Sequence, residues 1–337
     1  MILVTGGTGL VGSHLLYTLT KKEESIRAIY RDEHTLKAVK HVFSYYTNDV
    51  DLHFSKIEWT KADITDVPSL VYVFKNITKV YHCAALISFD PKDYINLKSI
   101  NIEGTANIVN LCISNSIEKL CYVSTIAAIG KSNIESNFIT EETHWNPEED
   151  HSVYAITKYG GEMEVWRGSQ EGLDVIVINP GIILGSGFWR SGSGNLFKRI
   201  YKGVNYYTKG ITGYVDVRDV VKSMTLLMES TIKNERYILV SENVSFNEFF
   251  SKTAKALNTK PPQKEVSKLL LNFAWRLDWL RSLFKNKRRK VTKQLAESLL
   301  STSYYDNSKI KDAIHLEFIK IDNSILDNSK YFLEDHL

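Results

Sequence analysis

A chain of 337 residues, 43% hydrophobic and 24% charged, has the composition of a folded globular protein, with length for one large domain and an appended lobe, or for two domains. Its net charge of +3 is too small to make nucleic acid the expected partner, and no run of roughly eighteen apolar residues marks a membrane span. Cys83, Cys112 and Cys121 lack metal-ligand spacing and are odd in number, so they read as reduced core residues of a cytoplasmic protein. A first strand beginning at Met1 leaves no room for a signal peptide.

Met1-Ile2-Leu3-Val4 is an apolar run of the kind buried on both faces of a parallel sheet. Thr5-Gly6-Gly7-Thr8-Gly9-Leu10-Val11-Gly12 follows, and Val11, Leu15 and Leu19 then recur at helical spacing. Strand, glycine turn and helix in that order form the context of a dinucleotide fingerprint. Gly6 takes the tight turn, Gly9 admits the backbone to a pyrophosphate, and Gly12 lets helix and strand pack closely. The helix N-terminus offers N–H donors and a positive dipole. Apolar runs go on alternating with helical patterns, which predicts a parallel sheet with helices on its faces.

Ser25–Tyr30 reads as the second strand, and its end carries Arg31 and then Asp32. A guanidinium there can fork a ribose 2′-phosphate, with Lys37 adding charge, which makes NADP the expected cofactor. In the alternative, Asp32 serves the ribose hydroxyls of NAD. The third strand ends in Lys61-Ala62-Asp63-Ile64, setting a carboxylate toward an adenine. The fourth, Lys79 to Ala85, closes with Cys83-Ala84-Ala85, small residues that suit either passage past a cofactor or tight helix packing. His82, alone in an apolar strand, reads as packed core. Asn101 opens a helical segment, as its cap or as a hydrogen-bonding group in the site.

Lys119–Val123, the fifth strand, delivers Ser124 and Thr125 to the carboxyl edge, where open parallel sheets bind ligands. Tyr154-Ala155-Ile156-Thr157-Lys158 then opens a helical segment through Trp166, and its spacing puts phenol and ammonium on one face. A phenol with a pKa near 10 is a poor acid or base at neutral pH, and a nearby ammonium lowers that value. With the Thr125 or Ser124 hydroxyl holding a substrate oxygen, this set points to proton transfer coupled to hydride exchange with nicotinamide.

Asp174–Ile178 reads as a sixth strand. Gly185 to Asn195, rich in Gly and Ser around Phe188 and Trp189, reads as a mobile flap over a pocket or as a linker. Gly213–Val221 looks like a return to the first domain. The expected division is therefore 1–180 with 211–230 as the cofactor domain, and 181–210 with 231–337 as a discontinuous substrate lobe. Ser245 and Glu248 form a capping box for a helix through Leu257, and Pro261-Pro262 breaks the chain. Val266–Phe284 follows as an amphipathic, aromatic helix running into Lys285, Lys287, Arg288, Arg289, Lys290 and Lys293. Such a segment can lie on an anionic membrane surface, line the substrate pocket or form a dimer face. The terminal Asp335-His336-Leu337 reads as frayed.

Several stretches together resemble the extended short-chain dehydrogenase/reductases, in the NAD-dependent epimerase/dehydratase group. They are Thr5–Gly12, Asp63-Ile64, His82–Ala85, Asn101–Thr105, Val123–Thr125, Tyr154–Lys158, Asn179-Pro180-Gly181 and Tyr214–Val220, and they span about two thirds of the chain. Within the group the chain looks most like the dihydroflavonol reductase and 3β-hydroxysteroid dehydrogenase branches. The resemblance implies an α/β fold, a Rossmann doubly wound parallel sheet with helices on both faces and a smaller, discontinuous C-terminal substrate lobe. It also implies a small-molecule substrate, a homodimer and no metal. Tyr154 would be the acid/base, Lys158 its tuning cation and Thr125 the hydroxyl that orients the oxygen, with Ser124 assisting and Asn101 supporting a proton relay. Cofactor contacts would come from Gly6, Thr8, Gly9, Leu10 and Val11 in the first turn, then from Arg31, Asp63, Ile64, Cys83, Ala84 and Ala85 at successive strand ends. Tyr154, Lys158, Pro180 and Ile182 would surround the nicotinamide.

Two departures stand out: Thr125 where the group more often has serine, and Ile129-Gly130 where a Tyr-Gly pair is usual. The expected activity is NADP-dependent exchange of hydride with a carbonyl or secondary alcohol. A nucleotide-sugar epimerase or dehydratase holding NAD is the alternative, although Ile211-Thr212-Gly213 brings no cation for a pyrophosphate and Lys209 is the nearest charge. A non-catalytic cofactor-binding regulatory protein is the further alternative.

Overall fold

The computed structural model describes residues 1–22, 24–131, 138–285, 289 and 291–336, with side chains throughout except at 283–285. Lys287, Arg288 and Lys290 of the basic run, and Leu337, lie outside the described residues. The centre is a sheet of seven parallel strands: β1 (Ile2–Thr5), β2 (Ile26–Tyr30), β3 (Ile57–Lys61), β4 (Lys79–His82), β5 (Lys119–Val123), β6 (Val175–Pro180) and β7 (Glu235–Leu239). Their order across the sheet is β3-β2-β1-β4-β5-β6-β7. The direction of winding reverses between β1 and β4, and a crevice opens at such a switch point above the carboxyl ends of the strands.

Apolar side chains of β1, β5 and β6 alternate between two cores, one on each face. Val4, Cys121 and Ile178 join α1 (Leu10–Leu19) on one face, while Leu3, Leu120 and Val177 join the 104–114 helix on the other. Helix α2 (Val153–Gln170) packs on that second face, held at its start by Ser152, whose Oγ accepts from Ala155 N at 3.1 Å. Two glycines in α2 let it lie against a π-turn over Ser99–Glu103: a Cβ on Gly161 would stand 2.2 Å from Asn101 O, and one on Gly160 2.6 Å from Ile102 Cδ1.

The division of the chain differs from the expected one. β7 completes the main sheet rather than joining the second lobe with the rest of 231–337; Tyr237, Ile238 and Leu239 are all buried, with cover on both faces. Conversely, Ile211–Asp216 leaves the main sheet. It pairs parallel with Ile182–Leu184 and antiparallel with Glu242–Ser245 in a three-stranded sheet of the second lobe. Helix α3 (Val217–Glu229), capped by Asp216 accepting from Arg218 N at 2.8 Å, does return to the first domain and packs on α1. Of the expected capping box the first half forms: Ser245 Oγ accepts from Glu248 N at 3.2 Å and opens α4 (Phe246–Ala256), while the Glu248 carboxylate turns to Lys252 at 2.8 Å.

The flap expectation fails as well. Trp189 is 6% exposed, edge-on to Phe197 and Phe332, and its Nε1 donates to Asp335 at 2.5 Å. A large indole with its N–H satisfied is stabilised far more inside the second lobe than over a pocket. The amphipathic segment is a helix, α5 (Lys268–Lys285), and a last helix, α6 (Ile321–Glu334), closes the second lobe's core through Ile325 and Phe332.

Candidate active site

β1 delivers Thr5 to the carboxyl edge, and Gly6 turns at φ +66°, the left-handed region glycine tolerates. A Cβ on Gly6 would lie 2.5 Å from Ala84 N, and one on Gly12 2.2 Å from Gly6 O, so both positions require glycine for the ends of β1, β4 and α1 to converge. Gly9 meets only Gly6 O, at 3.4 Å, and occupies the cap position of α1 without a side chain covering the helix's first N–H groups. Gly6, Thr8, Gly9, Leu10 and Val11 are each partly exposed along this turn, while Gly7 is buried. An open, uncapped helix start beside a glycine cradle fits the diphosphate of a dinucleotide.

At the neighbouring strand ends, the Arg31 guanidinium is 66% exposed and stands 3.8 Å from Asp63 Oδ2. Asp32 is turned elsewhere: its Oδ1 accepts from His34 N at 3.0 Å and caps the short turn Glu33–Thr35. Asp63 Oδ1 accepts from Thr65 N and Oγ1. Ile64 is buried and fills the space that glycine leaves at position 104. Cys83 and Ala84 are half-buried and Ala85 is exposed, lining the crevice beyond β4, and burial pushes the Cys83 thiol up to about 12. Pro180 ends β6 buried, and Ile182, half-buried, starts the strand that leaves for the second lobe.

Tyr154 and Thr125 meet from α2 and the end of β5. Burial raises the Tyr154 phenol to about 12, and its hydrogen bond with the Thr125 side chain opposes that rise. The Phe89 ring stands edge-on to Tyr154 at 5.5 Å, giving the pocket an apolar wall. Lys158 behaves differently from the expectation that it lowers the pKa of Tyr154. Its buried ammonium donates to Tyr122 Oη and Val123 O, both at 2.8 Å, and desolvation holds it down at about 7 against the opposing pull of Glu162. With the cation directed at the strand end, the phenol stays protonated through neutral pH.

The helpers are also engaged otherwise. Ser124 turns behind the strand edge and donates to Glu162 Oε2 at 2.6 Å, away from Tyr154. Asn101 lies inside the π-turn, neither a helix cap nor free: its amide donates to Leu86 O and Thr157 Oγ1, and its Oδ1 accepts from Leu86 N at 2.8 Å. Asn101 thus staples the loop after β4, which carries Phe89, onto α2. His82 is core, as read: it bridges Thr5 and Thr105, and burial lowers it to about 3, so it stays neutral.

Sequence reasoning missed Glu162 and Tyr122. Glu162, fully buried, gathers Ser124, Asn179 Nδ2 at 3.0 Å, Trp166 Nε1 at 3.3 Å and Arg236 Nη1 at 3.4 Å. Its signal was its place four residues after Lys158, one turn along the same helix face. Tyr122 had none, because a tyrosine in a buried strand reads as packing.

The family model described as NAD dependent epimerase/dehydratase family matches residues 2–239. A putative dihydroflavonol 4-reductase of Synechocystis sp. is 27% identical over 282 residues, covering 81% of this chain and 77% of its own. The crystal structure of gox2253 superposes with a TM-score of 0.82 at 22% identity over 99% of this chain and 98% of that one. The UDP-glucose 4-epimerase of Thermus thermophilus, in complex with NAD, reaches 0.74 at 19% identity over 98% of each chain. These two structures establish the likeness of fold.

Proposed function

The chain belongs to the NAD dependent epimerase/dehydratase family, and from that premise we propose that it is an NADP-linked reductase that protonates the oxygen of a carbonyl substrate from Tyr154. The observation that carries this reading is a phenol held protonated, at about 12, against the Thr125 hydroxyl above the carboxyl edge of the sheet. A protonated phenol is a proton donor ready for an alkoxide forming beside it. Bound nicotinamide supplies the hydride. Thr125 orients the substrate oxygen toward Tyr154 Oη, and the Phe89 ring sets an apolar surface beside the phenol. Lys158, buried and anchored on Tyr122 and Val123, fixes the end of β5 beside Tyr154. The cradle of Gly6 and Gly9 with the open start of α1 holds the diphosphate, and Gly12 lets α1 close on that turn.

NADP rather than NAD is supported by an exposed Arg31 and by an Asp32 whose carboxylate is spent on the His34 turn. A guanidinium–phosphate fork contributes about 1.5–3 kcal/mol, and its exposure puts it at the lower end, roughly a tenfold preference. Reduction is favoured over work on a nucleotide sugar because Lys209 is paired with Glu265 at 2.7 Å.

Tyr154→Phe is expected to lower carbonyl reduction at least ~10²-fold while NADPH titration remains near wild type. Arg31→Ala is expected to bring the NADP and NAD affinities close together. Normal turnover from Tyr154→Phe, or an unchanged cofactor ratio in Arg31→Ala, would overturn the corresponding assignment. Tightly retained NAD with no net redox turnover would favour the epimerase chemistry instead.

A further inference from the structure

Leu269, Phe273, Leu277 and Leu280 follow one another along α5 at the three- and four-residue steps of a single stripe, and Leu270 widens it. They are 82%, 60%, 50% and 44% exposed, and Leu270 is 47% exposed. The opposite side of the helix is seated: Leu271 and Ser282 are buried, and Asp278 accepts from Val291 N at 3.0 Å. At 100° per residue, Arg276 falls on one border of the stripe and Arg281 on the other. Residues 264–293 carry ten of the chain's 42 lysines and arginines but only two of its 39 acids. A net charge of +8 is therefore concentrated on thirty residues of a chain whose total is +3.

We propose that α5 docks the protein on an anionic lipid surface, lying in its plane with the leucine–phenylalanine stripe at the headgroup–acyl boundary and the arginines against lipid phosphates. An exposed apolar stripe bordered by cations is the profile of a helix that lies on a bilayer. It does not cross one: among the described residues no helix is long and apolar enough to do so. A second copy of this chain is the poorer occupant, because a twofold interface would bring two strongly positive segments face to face.

The same segment borders the mouth of the site. Arg289 N donates to Asp90 Oδ2 at 2.9 Å, one residue beyond the Phe89 that walls Tyr154. Lys293 and Gln294 hold Asp150 at 2.8 and 3.0 Å, just before the Ser152 cap of α2. Ile87 and Ile95, on the strand-end loop and the helix after it, are themselves 57% and 78% exposed. Docking through α5 thus brings the Tyr154 cleft close to the lipid, and a carbonyl compound dissolved in the bilayer is the substrate class that follows; this last step alone rests on the proposed function.

The test is flotation of the full chain with vesicles of phosphatidylcholine, with and without phosphatidylglycerol, at low and high salt. Wild type is expected to float with the phosphatidylglycerol vesicles at low salt and to be released by high salt. Phe273→Glu with Leu277→Glu is expected to weaken partition at least about tenfold while thermal transition and NADPH binding stay as in wild type. Failure of wild type to float, or equal partition of the double variant, would overturn the proposal. So would a double variant that turns from dimer to monomer with flotation unchanged, since the stripe would then belong to a second copy. Vesicle binding requires no turnover, so a failed Tyr154 assignment and a failed docking assignment are read out separately.

Discussion

Replacing Glu162 with Gln isolates the group that ties the catalytic helix to three strand ends. Oε2 accepts from Ser124 at the end of β5 and from Asn179 in β6, and Oε1 accepts from Trp166 in α2 and from Arg236 in β7. An amide of the same shape offers one acceptor and one donor, so two of these four buried donors lose their partner. Each costs about 1–3 kcal/mol. Arg236, its side chain only 19% exposed, loses its counter-charge but keeps the carbonyls of Glu141 and Thr143. The sum is about 2–6 kcal/mol, a large share of the stability of an ordinary domain. Lys158 also loses the carboxylate that opposes its desolvation, so its pKa falls below about 7. Urea unfolding followed by circular dichroism measures the first effect. NADPH titration between pH 6 and 8 measures the second, as an affinity whose pH dependence moves to lower pH. A stability loss under about 1 kcal/mol, or an unshifted pH dependence, would refute the assignment of Glu162 as the hub and as the partner of Lys158.

Trp189→Ala removes a buried indole and is expected to cost about 3–5 kcal/mol in urea unfolding, whereas an indole on a solvent flap would leave the midpoint unmoved. Acid should destabilise the fold early. Burial lowers His14 to about 4 and His82 to about 3, from an ordinary 6.5, so the unfolded chain binds more protons below that value. Stability present above pH 6.5 is then lost as pH falls toward 4, at about 1.4 kcal/mol per pH unit for each histidine. A thermal transition that stays level between pH 6.5 and 4.5 would contradict that sign.

The first half of the chain could be read because its signals are local. Ile2–Thr5, Gly6–Gly12 and Lys119–Val123 combine apolar runs with glycines that only a tight strand-to-helix turn demands. Tyr154 and Lys158 share a helix face by spacing alone. The sequence therefore carried the parallel sheet, the diphosphate cradle and the residues brought to its edge. What a side chain does once there depended on partners distant along the chain. Lys158 points to Tyr122 and Val123 rather than to Tyr154 because a buried ammonium takes the nearest fixed oxygens. Ser124 serves Glu162 for the same reason, since a buried carboxylate needs every donor within reach. Trp189 entered the second lobe because α6, at the far end of the chain, supplied Phe332 to pack on it and Asp335, just beyond, to satisfy its N–H. The edge strand Glu235–Leu239 and the departure of Ile211–Asp216 were likewise decided in three dimensions: both runs are apolar enough for either sheet, and only strand pairing across the fold determines which one each completes.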